Sequence, residues 1–260
     1  MLDYRRHRAK QSQKKADEIS DKVDEAVANL SESGIINIKV KNSELGAFKK
    51  RLLNDENIES EYYSIIRDRF SHGSNFAKEA FNKYVPDDSI LEYDFPATPH
   101  YNPTTKKISM NCEMDKINPR GSGVTWFHEH GHLIDDYAGR ISQNERFGEV
   151  LRKDYMEYMM NYSKQHNLKT FDKVQKAISD DLSSMREHSG VSDIMHGLSK
   201  GNIHGVASHD ISYWRQKGSI ESEAFAHMFE CQFDKARYME MKKYFPNALA
   251  EFEKILKGAL

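Results

Sequence analysis

Two histidines four residues apart, with a glutamate directly after the first, constrain this chain more than any other feature. Residues 128–132 read His-Glu-His-Gly-His. On an α-helix, residues four apart lie on one face, so both imidazoles can reach a single metal ion while Glu129 lies beside it. The pattern predicts half of a zinc site, with His128 and His132 as ligands.

The sequence around this pattern favours a helix with defined ends. Glycine and serine at 121–122 offer a start and Gly139 offers a stop, so we expect a helix over 122–137. Gly131 lies inside it, where glycine costs roughly 1 kcal/mol relative to alanine. A glycine there predicts that another backbone approaches closely. His130 points off the ligand face and is not predicted to be a ligand.

Composition indicates a soluble globular protein. The chain has 260 residues, 30% of them charged, and no apolar run long enough to span a bilayer. Residues 1–8 are basic but no apolar core follows them, so a classical secretory signal is not expected. Two cysteines far apart in sequence, Cys112 and Cys231, fit reduced thiols. We expect a cytoplasmic or virion-associated protein, with non-classical export as an alternative and no membrane partner.

The net charge of −2 makes a general nucleic-acid binder unlikely. The segment from Arg5 to Lys15 is locally basic, and two interpretations remain open for it. One is a solvated helix face, which we favour, and the other is a nucleic-acid contact.

Hydrophobic spacing predicts a mostly helical α+β fold with a small mixed sheet. Residues 1–31 are expected to form an amphipathic helix or arm, and residues 32–260 a single domain. The main predicted elements are helices over 58–70 and 74–84, strands over 90–95 and 107–114, further helices from 140 to 188, and helices starting at Ser219 and Pro246.

The stretch 190–218 differs from its surroundings, because it holds five glycines together with His196, His204 and His209. This composition predicts a shaped loop rather than a disordered segment. It is a candidate active-site loop.

A catalytic zinc ion needs three protein ligands and an open fourth position, so the two histidines require a third partner. The metzincin class would place glycine three residues after His132 and histidine six residues after it. Those positions hold Asp135 and Ala138, which excludes that class. A glutamate from a second helix is the remaining common choice.

Glu223 is our choice for the third ligand, because Ala226 and His227 share its helical face. Glu221 is the second choice, and an exposed carboxylate without a metal role is the alternative for Glu223. Asp135 is predicted either to orient a ligand histidine or to belong to a solvated helix end, and His227 either to orient a ligand histidine or to be a hydrogen-bonded core histidine.

The chemistry expected of this set is peptide hydrolysis. Zinc would lower the pKa of its bound water to roughly 7, and Glu129 could take the proton and pass it to the leaving amine. A donor for the oxyanion is also needed, and Tyr213 or His209 could supply it. Alternatively, Tyr213 is a core residue packed beside Trp214.

Residues 128–139 and 221–229 together resemble the gluzincin metallopeptidases, in particular the catalytic domain of anthrax lethal factor and its relatives. The resemblance implies a zincin-like fold and an endopeptidase with His128, His132 and Glu223 as ligands and Glu129 as base. It also departs from the family, because the catalytic tyrosine would fall at Gln216. Tyr213 lies three residues earlier.

A broader similarity covers residues 192–201, 205–214 and 223–226, which resemble metallopeptidase-like domains in minor head proteins of phages of Gram-positive bacteria. It implies a phage or prophage origin, and phage structural proteins as partners. The implied zincin fold makes Lys107–Met114 an edge strand that pairs with an extended substrate.

Two functions from different classes follow. The first is a zinc-dependent endopeptidase acting on a protein or peptide substrate. The alternative is a phage head protein, active in capsid structure or morphogenesis, that keeps the zinc site for stability.

Overall fold

The computed structural model describes residues 60–86, 91–92 and 99–260. The arm predicted over residues 1–31 lies outside these ranges. Within them the α-helices are α1 Ser60–His72, α2 Asn75–Tyr84, α3 Cys112–Lys116, α4 Val124–Tyr137, α5 Glu145–Gln165, α6 Phe171–Leu182, α7 Ser189–Leu198, α8 Ser219–Glu230, α9 Lys235–Tyr244 and α10 Pro246–Gly258. Short 3₁₀ turns cover Ile141–Gln143, Arg186–His188, Tyr213–Arg215 and Cys231–Phe233.

Most helix ends lie within about two residues of the ends predicted from the hydrophobic pattern. Their starts are fixed by side-chain caps where the sequence offers them. Asn144 accepts hydrogen bonds from two backbone N–H groups at the start of α5, and Asp234 does the same for α9. Pro246 occupies the first turn of α10, where its missing N–H is not needed. In the described part of the chain, no helix has the length and apolar character needed to cross a membrane.

The sheet has three short strands in the order β1-β3-β2, with β1 Leu91–Glu92, β2 His100–Asn102 and β3 Lys107–Ser109. β1 runs parallel to β3 and β2 runs antiparallel to it, with Tyr101 opposite Ile108. The sheet is therefore mixed, and the mostly helical α+β class is confirmed.

The predicted strand over 107–114 is wrong in two respects. It ends at Ser109, because Asn111 caps the following helix by accepting the N–H of Met114. It also occupies the centre of the three-stranded sheet rather than its edge. The edge strand beside α4 is β2. It was not predicted, because the residues around it have the composition of turns.

Helices α4 and α8 pack directly against each other and form the centre of the molecule. The contact is close at Gly131, where an added Cβ would lie 2.8 Å from the Cα of Ala226. On the other side of α4, His130 is buried between the rings of Phe81 and Trp126. The close backbone approach predicted from the glycine is confirmed.

Replacing Gly131 with alanine is expected to destabilise the protein by about 1–3 kcal/mol, because the new methyl group meets backbone atoms of α8 that cannot rotate away. Gly258→Ala is the matched control. Gly258 is also a helical glycine, but an added Cβ there meets nothing within 4 Å. Urea denaturation of both variants measures the difference, and equal stabilities would contradict the close approach.

The predicted loop over 190–218 is only partly a loop. Residues 189–198 form helix α7, and irregular chain runs from there to the turn at Tyr213–Arg215. The glycines in α7 allow close packing: a Cβ at Gly190 would touch the ring of His227, and one at Gly197 would touch the indole of Trp214. Glycine in this stretch marks tight packing as well as turns, which composition alone does not distinguish.

Candidate metal centre

The facing sides of α4 and α8 bring the three predicted ligands together. The Nε2 atoms of His128 and His132 are 3.2 Å apart. One carboxylate oxygen of Glu223 lies 3.1 Å from His128 Nε2, and the other lies 3.4 Å from His132 Nε2. Zinc bonds of about 2.0–2.1 Å in a tetrahedron place neighbouring ligand atoms about 3.3–3.4 Å apart. The observed spacings therefore fit a metal ion of this kind.

The hydrogen bonding of these atoms also fits a bound cation. Oε2 of Glu223 is buried and has no hydrogen-bond partner among the described residues, although His128 Nε2 is within 3.1 Å. Two imidazole nitrogens and a carboxylate oxygen that face one another at these distances can share a positive charge between them, either a metal ion or protons on the imidazoles. The residues present thus suit a metal, while the identity of the metal as zinc remains a prediction.

The charge of Glu223 is maintained despite its burial. Burial alone would raise the pKa of its carboxyl group, but His132 and His128 hold that pKa well below its usual range. The side chain is therefore an anionic ligand rather than a neutral acid.

The candidate site is partly accessible through His132 and His209. The side chain of His132 is 15% exposed and that of His209 is 39% exposed, whereas His128 and Glu223 are buried. A catalytic zinc needs such an open position for water or substrate, and a structural zinc is normally closed by four protein ligands.

Among the described residues, two other groups of side chains have donor atoms close enough to hold a metal: His128, His227 and Glu230, and also Asp193, Glu223 and His227. Every member of both groups is buried, so neither offers an open coordination position. Glu230 is in addition already neutralised by Arg120, at 2.8 Å. Of the three groups, the one formed by His128, His132 and Glu223 is the one with a partly exposed member.

Glu129 is held by the sheet. Its Oε2 accepts a hydrogen bond of 2.7 Å from the backbone N–H of Tyr101 in β2. The tyrosine hydroxyl in turn donates to Asp136 at the end of α4, over 2.6 Å. The predicted base therefore lies between the metal ligands of α4 and the exposed edge of β2.

Tyr213 and His209 both reach the site from the segment between α7 and α8. The Tyr213 hydroxyl donates to Oε1 of Glu223 over 2.5 Å, and Nε2 of His209 lies 3.8 Å from the same oxygen. Their rings stack with centroids 4.4 Å apart. Burial and the charge of Glu223 raise the pKa of Tyr213, so its hydroxyl stays protonated and remains a donor. Gln216, at the position implied for the catalytic tyrosine, is exposed.

The orienting role considered for Asp135 does not agree with its contacts. Its carboxylate accepts hydrogen bonds from the backbone N–H and the hydroxyl of Ser142, at 2.7 and 2.6 Å, and so fixes the turn after α4. The Nδ1 of His132 instead contacts the hydroxyl of Ser222, at 3.2 Å. The seven-residue spacing between His128 and Asp135 did not reveal these contacts, because the Asp135 side chain points toward the turn that follows α4.

Sequence reasoning missed two buried carboxylates behind the candidate ligands, Asp193 and Glu230; both contact His227, which the sequence did single out. Asp193 accepts from the backbone N–H of His209 and contacts its Nδ1, at 2.7 and 2.8 Å, and lies 3.1 Å from Nε2 of His227. His227 Nδ1 and His128 Nδ1 each lie 3.3 Å from the same oxygen of Glu230. The signal available was weak: Glu230 lies seven residues after Glu223, on the same face of α8.

Comparisons of the chain with family models, with curated proteins and with solved structures give no match. The similarity to gluzincins and to phage head proteins therefore stays a prediction from the motifs.

Proposed function

We propose that the protein is a zinc-dependent endopeptidase. The observation that carries the proposal is the convergence of His128, His132 and Glu223 around a buried carboxylate oxygen that has no hydrogen-bond partner among the described residues, with His132 partly exposed. His128, His132 and Glu223 would hold the ion. Zinc bound there supplies a Lewis acid and makes water easier to deprotonate.

Glu129 acts as general base and then as general acid. Its carboxylate takes a proton from the water that attacks the peptide carbonyl carbon, so a C–O bond forms. It then delivers that proton to the amide nitrogen as the C–N bond breaks. The hydrogen bond from Tyr101 supports this role, because it fixes the carboxylate at the edge of the sheet where a substrate can lie.

Tyr213 and His209 are the donors for the negative charge that develops on the carbonyl oxygen. Asp193 orients His209, and the Tyr213 hydroxyl, whose one proton is donated to Glu223 here, turns from that oxygen to donate to the oxyanion. The edge strand β2, rather than the central strand first predicted for this role, is the strand that we propose to pair with an extended substrate.

Replacing Tyr213 with phenylalanine is expected to lower kcat about 10–100-fold and to leave zinc affinity within about threefold. The loss is smaller than the 10²–10³-fold typical of a single oxyanion donor, because His209 remains. Tyr238→Phe is the control, since that hydroxyl also bonds a glutamate, Glu253, at 3.0 Å. Steady-state kinetics on a peptide that the wild-type protein cleaves measure kcat for both variants. An unchanged kcat in Tyr213→Phe would show that Tyr213 does not stabilise the oxyanion.

Removal and return of the metal tests the proposed function. Protein treated with a chelator and then dialysed is expected to lose all cleavage of a peptide mixture, and one equivalent of zinc is expected to restore it. If the zinc-loaded protein is folded and cleaves nothing, the result favours the alternative function, a phage head protein that keeps zinc for stability. Thermal unfolding with and without zinc then measures that stabilisation.

A further inference from the structure

Glu230 lies at the end of α8, two helical turns after Glu223, so both carboxylates face α4. It is 3% exposed. The shortest contact between it and the metal ligands is at His128, whose Nδ1 lies 3.3 Å from Oε2 of Glu230. Nε2 on the opposite side of the same ring faces Glu223. His128 is therefore placed between two carboxylates, one in the candidate metal centre and one behind it.

Glu230 is held from behind by two arginines. Arg120 contacts its Oε2 at 2.8 Å, and Arg237 contacts its Oε1 at 3.3 Å. Ser189 accepts hydrogen bonds from both guanidinium groups, at 3.3 and 2.6 Å. Burial would raise the pKa of Glu230, but Arg120 and the neighbouring histidines hold it well below its usual range. The carboxylate is thus charged and fixed in position.

An imidazole that binds a metal through Nε2 keeps its proton on Nδ1, and that proton needs an acceptor. Nδ1 of His128 is buried and makes no hydrogen bond of good geometry with the described residues, and Glu230 offers a carboxylate oxygen at 3.3 Å. The ring of His227 packs on that of His128 with centroids 4.3 Å apart and contacts the same oxygen. A small rotation of the His128 ring would complete the bond.

We propose that Glu230, anchored by Arg120 and Arg237, is a positioning residue that accepts the Nδ1 proton of His128 and directs its Nε2 toward the metal. This inference rests on the proposed zinc site, and it adds a residue that neither the motif nor the resemblance assigns. The two arginines set the place of the carboxylate, and the carboxylate sets the tautomer and the ring angle of His128.

Replacing Glu230 with glutamine tests the proposal, since the amide keeps the shape but removes the charge. We expect zinc affinity, measured by competition with a chelating dye, to fall about 10–100-fold. The visible spectrum of the cobalt-substituted protein should also change, because it reports the ligand geometry. Glu251→Gln is the matched control: Glu251 is buried and paired with Arg146 at 3.3 Å, away from the ligands. It is expected to leave affinity and spectrum unchanged.

The unfolding temperature of each metal-free variant separates a loss of folding from a loss of positioning. If Glu230→Gln does not fold, Glu230→Asp replaces it, because aspartate keeps the charge for the arginines but is shorter by one methylene and withdraws from His128. Wild-type affinity and spectrum in the folded variant would overturn the role of Glu230. Failure of the wild-type protein itself to bind zinc would instead overturn the proposed function, so the two failures are distinguishable.

Discussion

Replacing Glu223 with alanine is expected to lower zinc affinity by more than about 100-fold, because loss of a partner outside the coordination shell already costs about 10–100-fold. The substitution removes the only carboxylate of the proposed ligand set and leaves His128 and His132 as the remaining ligands. The unfolding temperature of the metal-free variant is measured beside the affinity, because removal of one partner from a buried paired cluster lowers stability. Competition with a chelating dye measures the affinity.

Glu221→Ala is the control for this experiment. Glu221 lies on the same helix and was the second choice for the ligand, but its carboxylate contacts Arg152 at 2.6 Å instead of the histidines. We expect its zinc affinity to equal that of the wild-type protein. If Glu223→Ala retained full affinity, the ligand assignment would be wrong. If Glu221→Ala lost it, the third ligand would be Glu221.

Replacing Glu129 with glutamine is expected to lower kcat about 10²–10⁴-fold, the range that general acid–base catalysis contributes. Glutamine is nearly the same shape and can still accept the N–H of Tyr101 through its amide oxygen, so the edge strand stays in place. It cannot take a proton from water. Zinc affinity should change little, because Glu129 is not among the proposed ligands.

Kinetics on a peptide that the wild-type protein cleaves, together with the zinc content of the purified variant, measure this effect. Glu145→Gln, on the exposed start of α5, is the control for a general effect of losing a carboxylate. Normal turnover by zinc-loaded Glu129→Gln would show that another group moves the proton.

The fold was predictable where the signal is local. The period of apolar residues located the helices, and Gly131 predicted that another backbone approaches α4 closely; that backbone belongs to α8. The sheet was not predictable to the same degree, because strands of two or three residues have no periodicity to detect. The length of β3 was overestimated because Asn111 ends the extended segment by capping α3. A single capping residue is a weak signal in a sequence.

The candidate site divides in a similar way. His128, Glu129 and His132 are fixed relative to one another by one helix, so their spacing alone predicts them. Glu223 could be predicted only by assuming, in addition, that a second helix packs against the helix that carries the two histidines. Asp193 and Glu230 could not be predicted, because their roles depend on how α7 and α8 pack behind the ligands, and this packing leaves no regular spacing in the sequence.

Cleavage of a diverse peptide library, read by mass spectrometry for the zinc-loaded wild-type protein and for zinc-loaded Glu129→Gln, is the most direct test of the proposed endopeptidase. We expect internal cuts with a definite sequence preference from the wild-type protein and none above background from the variant. Identical cuts by both proteins, or cuts that persist when zinc is removed, would contradict a peptidase centred on His128, His132, Glu223 and Glu129.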